Sequence, residues 1–281
     1  MILAEKYRPM KLEDVVINES YKDKFNDYIK ENIFPHLLFH GSPGTGKTTI
    51  ARILINNIDC DYIELNASDE RGIDTIRNKV KDFSCMKSFK KIKVVFLDEA
   101  DYLTPDAQAI LRNLMERFSN NTRFILTCNY VNKIIPAVRS RCQSFLFIQL
   151  NEETIKNYIC NVCNKEKIKY NDLDIEKLIK TCNGDLRKTL NTLQKNINNN
   201  EFKYIESNNK YLELVNLMNK KKYNEIKDYL NSNIIDYEEL YKFLMYNSEN
   251  LNHILIIAKY YYQHYTVGSP DINFLGLCAE W

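Results

Sequence analysis

Three observations predict an α/β fold of the doubly wound, mostly parallel type over residues 1–150, followed by smaller helical regions. The stretch Gly41-Ser42-Pro43-Gly44-Thr45-Gly46-Lys47-Thr48 fits the phosphate-loop pattern G-x-x-x-x-G-K-[ST], between an apolar strand-like run and a helical one. Lys93-Val94-Val95-Phe96-Leu97-Asp98-Glu99 carries four apolar residues into two acids, as a strand buried on both faces does when it ends at a site. After Leu150 the alternation of strands and helices gives way to helices alone. The boundaries read from these shifts are 1–150, 151–200 and 201–281.

Composition narrows the class without naming a chemistry. A chain of 281 residues suits two or three domains, and 44% hydrophobic with 27% charged residues is ordinary for a soluble globular protein. No run of about eighteen apolar residues occurs, so no transmembrane helix is expected, and no signal peptide follows Met1. The eight cysteines then read as reduced intracellular thiols. Cys160 and Cys163 have metal-like spacing, but they sit in a helical pattern with no second pair, so ordinary thiols are the reading.

In chain order, Glu5-Lys6-Tyr7-Arg8-Pro9 is a polar arm. Residues 18–33 form an amphipathic helix with Tyr21, Phe25, Tyr28 and Ile29 on one side, stopped by Pro35. The strand 36–40 enters the phosphate loop, and the helix that follows places the loop at a helix N-terminus, where dipole and free N–H groups favour an anion. Lys47 can reach β- and γ-phosphates, and the Thr48 hydroxyl is placed for Mg²⁺. Residues 61–66 alternate as a strand. The next helix is expected over 74–89, with Ile76, Val80 and Phe83 toward the core and Arg77 and Lys81 on another face. Between Arg71 and Lys93 stand eight Lys or Arg residues against two acids. Charge alone leaves open whether this face meets a polyanion or only solvent.

Asp98 can hold Mg²⁺, and Glu99 is placed as the general base for a water attacking the γ-phosphate. Thr104-Pro105-Asp106 starts a helix through Phe118. The strand 122–129 ends in Asn129, which can orient that water or touch the γ-phosphate. A short helix or turn at 134–139, Ser140-Arg141-Cys142 and a strand over 144–148 complete the domain. Helices follow over 152–167, 174–182 and 185–198, with a polar linker at Asn196–Asn200. Five more are read at about 211–219, 223–231, 236–247, 250–265 and 271–280. Residues 254–262 are apolar nearly all round, which predicts a helix buried on several sides, within a small bundle or by neighbouring subunits.

The set Glu5–Pro9, the loop 41–48, Leu65-Asn66-Ala67-Ser68-Asp69-Glu70-Arg71-Gly72-Ile73, Asp98-Glu99-Ala100-Asp101, Ser140-Arg141-Cys142 and Gly184-Asp185-Leu186-Arg187 resembles a small subunit of replication factor C, the AAA+ sliding-clamp loader. The resemblance covers about residues 3 to 195. It implies an AAA+ nucleotide-binding domain, a helical lid and an all-α collar. Tyr7, Arg8 and Pro9 would line the adenine pocket, and Gly41, Ser42, Pro43, Gly44, Thr45, Gly46, Lys47, Thr48 and Thr49 would hold the phosphates of ATP with Mg²⁺. Asn129 and Arg187 would be the first and second γ-phosphate sensors. Arg141 would be an arginine finger acting on ATP held by the adjacent subunit. Arg71, Ile73, Arg77 and Lys81 would meet primer–template DNA. The implied partners are other clamp-loader subunits, as a hetero-oligomer of pentameric type, and the sliding clamp. The implied place is the nucleus or a site of viral or phage replication. The ending Leu277–Trp281, and Ser42 where the family usually has Pro, are similar to the ATPase subunit of phage clamp loaders. Arg112-Asn113 departs from the family's Arg-Arg, which touches an interface contact and not the nucleotide chemistry. The alternatives are a subunit that binds nucleotide without hydrolysing it, or another AAA+ DNA-remodelling ATPase such as a branch-migration helicase.

Overall fold

Five runs, four mainly apolar and one alternating, become the parallel strands β1 (Leu37–Gly41), β2 (Cys60–Asn66), β3 (Ile92–Asp98), β4 (Thr122–Cys128) and β5 (Gln143–Phe147), in the order β2-β3-β4-β1-β5. Because successive side chains alternate across a strand, each central strand feeds two cores. Leu37, Phe39, Val94, Phe96 and Ile125 enter one, and Leu38, Val95, Leu97, Phe124 and Leu126 enter the other. The computed structural model describes every residue except Met1, Glu70, Arg71, Asn183, Ile205, Glu206, Ser207, Ile234 and Glu249. It divides into two units, Met1–Tyr204 and Ile205–Trp281.

Within the first unit, α1 is the turn Leu3–Lys6 and α2 is Glu19–Glu31. The Asn18 side chain caps α2, and Asn32 ends it in the left-handed region. Its Phe25 ring meets Phe145 with centroids 4.9 Å apart, and Tyr21 meets the same ring edge-on at 5.0 Å. Such pairs contribute roughly 0.5–1.5 kcal/mol beyond area burial. Helix α3 (Lys47–Asn57) springs from the phosphate loop.

The helix expected over 74–89 is shorter and not uniform. It consists of α4 (Ile73–Thr75), a π-helical stretch Ile76–Val80 and α5 (Lys81–Cys85). Ile76 and Val80 are buried as expected and Phe83 packs at the core's edge. Met86, however, turns extended, and Phe89 lies fully in solvent. The last-turn carbonyls are taken by the ammonium of Lys93 and not by another turn of N–H groups.

Helices α6 (Pro105–Arg117, capped by Thr104) and α7 (Pro136–Arg139) finish the sheet domain. The lid follows as α8 (Glu152–Glu166), α9 (Asp172–Cys182) and α10 (Leu186–Lys195) around a core of Ile155, Ile159, Ile175, Leu178 and Leu193. The stretch read as an Asn-rich linker is instead the turn of a hairpin, β6 (Ile197–Asn198) with β7 (Glu201–Phe202). Asn199 and Asn200 both have positive φ, as a two-residue hairpin of right-handed twist demands. Phe202, buried in the lid core, anchors it.

The second unit holds α11 (Asn208–Asn219), α12 (Tyr223–Ser232), α13 (Tyr237–Tyr246), α14 (Leu251–His264) and α15 (Pro270–Glu280). Within its own unit the helix expected to be buried on several sides is not so buried. In α14 only Ile257 is fully buried, while Leu255 and Tyr262 are 61% and 79% exposed. The helix packs chiefly on α13 and α15, and the face that carries Leu255 and Tyr262 stays exposed.

Candidate nucleotide site

Sheet register assembles the site. β1 pairs with β4, setting His40 beside Cys128, and β3 pairs with β4, setting Leu97 beside Leu126. The phosphate loop after β1, Asn129 after β4 and the acids at the end of β3 therefore share one carboxyl edge, where open α/β sheets place ligands. A cavity of 210 Å³ opens there, lined by Pro43 to Thr49, Asp98, Glu99 and Asn129, by Tyr7, Arg8 and Pro9 of the arm, and by Arg187 of the lid.

The loop's glycines answer to close approach. At Gly41, φ is +137° and a Cβ would fall 2.0 Å from the Phe147 carbonyl oxygen. At Gly44, φ is +71° and a Cβ would meet the Asp185 carboxylate, the cap of lid helix α10, at the same distance. Gly41 and Ser42 contribute carbonyls: the buried Lys47 ammonium donates to them at 2.8 and 2.7 Å. Burial holds the Lys47 pKa below its ordinary value, against the pull of Asp101, Asp98 and Asp185.

The Thr48 hydroxyl lies 2.9 Å from Asp98 Oδ1. This hydroxyl–carboxylate pair is the hard oxygen donor set that Mg²⁺ uses beside phosphates and water. Glu99, which follows, has φ +57°, a left-handed conformation rare for a residue with a side chain. Its N–H donates to Thr127 Oγ1 at 3.0 Å, and that hydroxyl donates to Asp98 Oδ1 at 2.5 Å. Asp101, nearly fully buried, accepts the N–H groups of Asn129 and Tyr130 at 3.3 and 3.2 Å and so fixes the turn bearing Asn129.

The arm is tied to the lid. Tyr7 donates to Glu166 Oε1 at 2.5 Å, Lys6 Nζ lies 2.5 Å from the same oxygen, and Tyr158 of α8 donates to the Tyr7 carbonyl at 2.6 Å. The bond to Glu166 pushes the Tyr7 phenol up to about 12. Glu5 lies 3.1 Å from Arg8 and 3.8 Å from Arg187, bringing both guanidinium groups to the cavity's mouth.

Two predicted groups lie elsewhere. Arg141 pairs with Glu116 and donates to the Ala137 carbonyl at 2.5 Å, beside Tyr28, Pro35, His36 and Arg123 and outside the cavity. Arg77 and Lys81 are exposed on the π segment and α5, and Ile73 packs against the second core. Arg71 lies outside the described residues.

The pattern of the ATPase family associated with various cellular activities matches residues 37–150, and that of the RCF1/5-like AAA+ ATPase lid domain matches 157–195. Replication factor C small subunits of Saccharolobus solfataricus and Halobacterium salinarum are each 46% identical, over 201 and 200 residues and 69% of this chain. The chain spans 61% and 62% of their lengths. The small subunit of Picrophilus torridus is 38% identical over 251 residues, 84% of this chain and 79% of that one. The chain belongs to the replication factor C small-subunit family. The RuvB Holliday junction branch migration motor of Thermotoga maritima shares the fold alone, with a TM-score of 0.61 over 98% of this chain and 92% of that one at 15% identity.

The loop from Pro43 to Thr49, the acids, Asn129 and Arg187 named from the motifs all line the cavity, whereas no role was read for Thr127, Asp101, Tyr158 or Glu166. Thr127 carried a signal, as a lone hydroxyl near the end of an apolar strand. Glu166 carried none, since its partners are some 160 residues away. Among the described residues no helix is long and apolar enough to cross a membrane.

Proposed function

We propose that this chain is an ATP-hydrolysing subunit of a sliding-clamp loader, opening a clamp and placing it on primer–template DNA. One observation carries the reading. Lys47, Thr48, Asp98, Glu99, Asn129 and Arg187 converge on a single cavity, while Arg141 faces away from it. In this reading the loop N–H groups and Lys47 bind the β- and γ-phosphates. Mg²⁺, held by Thr48 and Asp98, supplies charge neutralisation. Glu99 takes a proton from the attacking water, and Asn129 and Arg187 contact the γ-phosphate. The Tyr7–Pro9 arm receives the base. Arg141 completes the site of an adjacent subunit, where a finger of this kind is worth roughly 10³–10⁵ in rate. The exposed α14 face is the contact among subunits of a hetero-oligomer, pentameric in type. Arg77 and Lys81 meet DNA phosphates, giving salt-sensitive binding without sequence preference.

Steady-state ATPase measurements with and without clamp and primer–template DNA test this. Turnover is expected to be low for the chain alone and strongly raised when both are present. Glu99→Gln should bind ATP but lose turnover. Arg141→Ala should also lose it, and mixing the two variants should restore a fraction, because each supplies what the other lacks. Unchanged turnover in Glu99→Gln would remove the assigned base. Stimulation by a four-way junction but not by clamp would overturn the loader reading.

A further inference from the structure

We propose that Lys93 is a positioning residue for the basic helix, fixing α5 and the adjoining Arg77–Lys81 face to the strand that ends in Asp98 and Glu99. The inference rests on the reading of that face as a DNA contact. Lys93 stands near the start of β3 and is only 3% exposed. Its ammonium donates to the carbonyls of Phe83 at 2.8 Å and Ser84 at 3.2 Å, and to that of Met86. The Phe83 ring centroid lies 5.6 Å away. An ammonium has three donors and no acceptor, so three carbonyls satisfy it completely, the condition for keeping a cation buried. The same three carbonyls close the end of α5. They are groups a helix leaves without internal partners, at the negative end of its dipole. Cation and helix end each supply what the other lacks.

The helix has need of such an anchor. The π-helical turn Ile76–Val80 lies inside the stretch that carries the basic residues, and π turns are rare and confined to single turns. Ile76 and Val80 pin one side into the core, and the Ser84 hydroxyl bonds back to the Val80 carbonyl at 2.7 Å. Beyond Ser84 the chain turns extended at Met86. Lys93 is therefore the polar tie at the helix's far end. Its own N–H is held by the Asn121 carbonyl at 2.8 Å, so the tie is made to the sheet itself. Removing the ammonium strips the carbonyls of their partner while leaving the charges at 77 and 81 in place. Their number stays the same; their placement does not.

The test compares the intact chain with Lys93→Met, Lys93→Arg and the Arg77→Ala/Lys81→Ala pair. Hydrogen exchange in Lys93→Met should quicken over 81–91 and stay slow in β3 and β4. Binding of fluorescein-labelled primer–template DNA should weaken about tenfold with the slope of log K against log salt unchanged, whereas the Arg77/Lys81 pair should flatten that slope by about 0.9 for each lost phosphate contact. DNA-free ATP turnover of Lys93→Met should match the parent. Lys93→Arg, which keeps a cation, should bind DNA more tightly than Lys93→Met. Unchanged exchange over 81–91, full DNA affinity despite a loosened helix, or an arginine variant as weak as the methionine one would each overturn the proposal. An Arg77/Lys81 pair that binds as the parent would instead sink the DNA reading of the face, so the two failures are distinguishable.

Discussion

His36 shows how far one residue's surroundings can move its chemistry. It precedes β1, and its Nδ1 accepts the Phe124 N–H at 3.2 Å. Burial, with Arg123 nearby, lowers its pKa from 6.5 to about 4. The folded state thus favours the neutral ring, while the unfolded chain titrates near 6.5. The stability this contributes is complete above 6.5 and is lost as pH falls toward 4. His40, half-buried and close to Lys47, is shifted in the same direction. Urea midpoints should therefore drop between pH 7.5 and 5, and His36→Asn, whose amide oxygen can accept the same N–H, should lessen the drop. Equal pH dependence in both proteins would mean that the imidazole is not responsible. At the same scale, Thr127 and Asp101 illustrate support whose role the motifs do not reveal. Neither was assigned a chemical role, yet one orients the acids and the other the turn that bears Asn129.

At the scale of elements, boundaries follow from who satisfies the backbone. The 3.6-residue period correctly marked Ile76 and Val80 as buried, but it could not show that the helix stops at Cys85. That stop depends on a lysine eight residues further on. The hairpin at 197–202 was hidden for a related reason: four polar Asn residues in five look like a linker until Phe202 is seen anchored in the lid core. Asn199 and Asn200, at φ 49° and 59°, do what few residues other than glycine do cheaply. Since Asn200 is exposed, Asn200→Val should cost about 1–2 kcal/mol through backbone strain alone, and Asn200→Gly should keep or raise stability. Thermal melts decide it. A valine variant melting with the parent would rule out the turn.

For the whole molecule, the two units carry separate cores, so each has what it needs to fold. The nucleotide cavity is lined from the first unit alone, and the exposed α14 face belongs to the second. A fragment of residues 1–204 should therefore bind ATP like the full chain but sediment as a monomer, while the full chain associates. Equilibrium binding and analytical ultracentrifugation of the two would check this. Association of the fragment equal to that of the full chain would place the subunit contact outside 205–281.

The sequence by itself determined the chemistry available. Loop spacing, a buried strand ending in two acids and the change of pattern after Leu150 are local signals, written in the periods of strand and helix and in the geometry of the phosphate loop. Only the tertiary structure decided which distant groups hold that chemistry in place. Sheet register sets Thr127 against Asp98, lid packing sets Glu166 against Tyr7, and the turn before β5 turns Arg141 away from its own cavity. These pairings span about 25 to 160 residues. They arise from closing the cores and from satisfying buried polar groups, and neither leaves a local period to read.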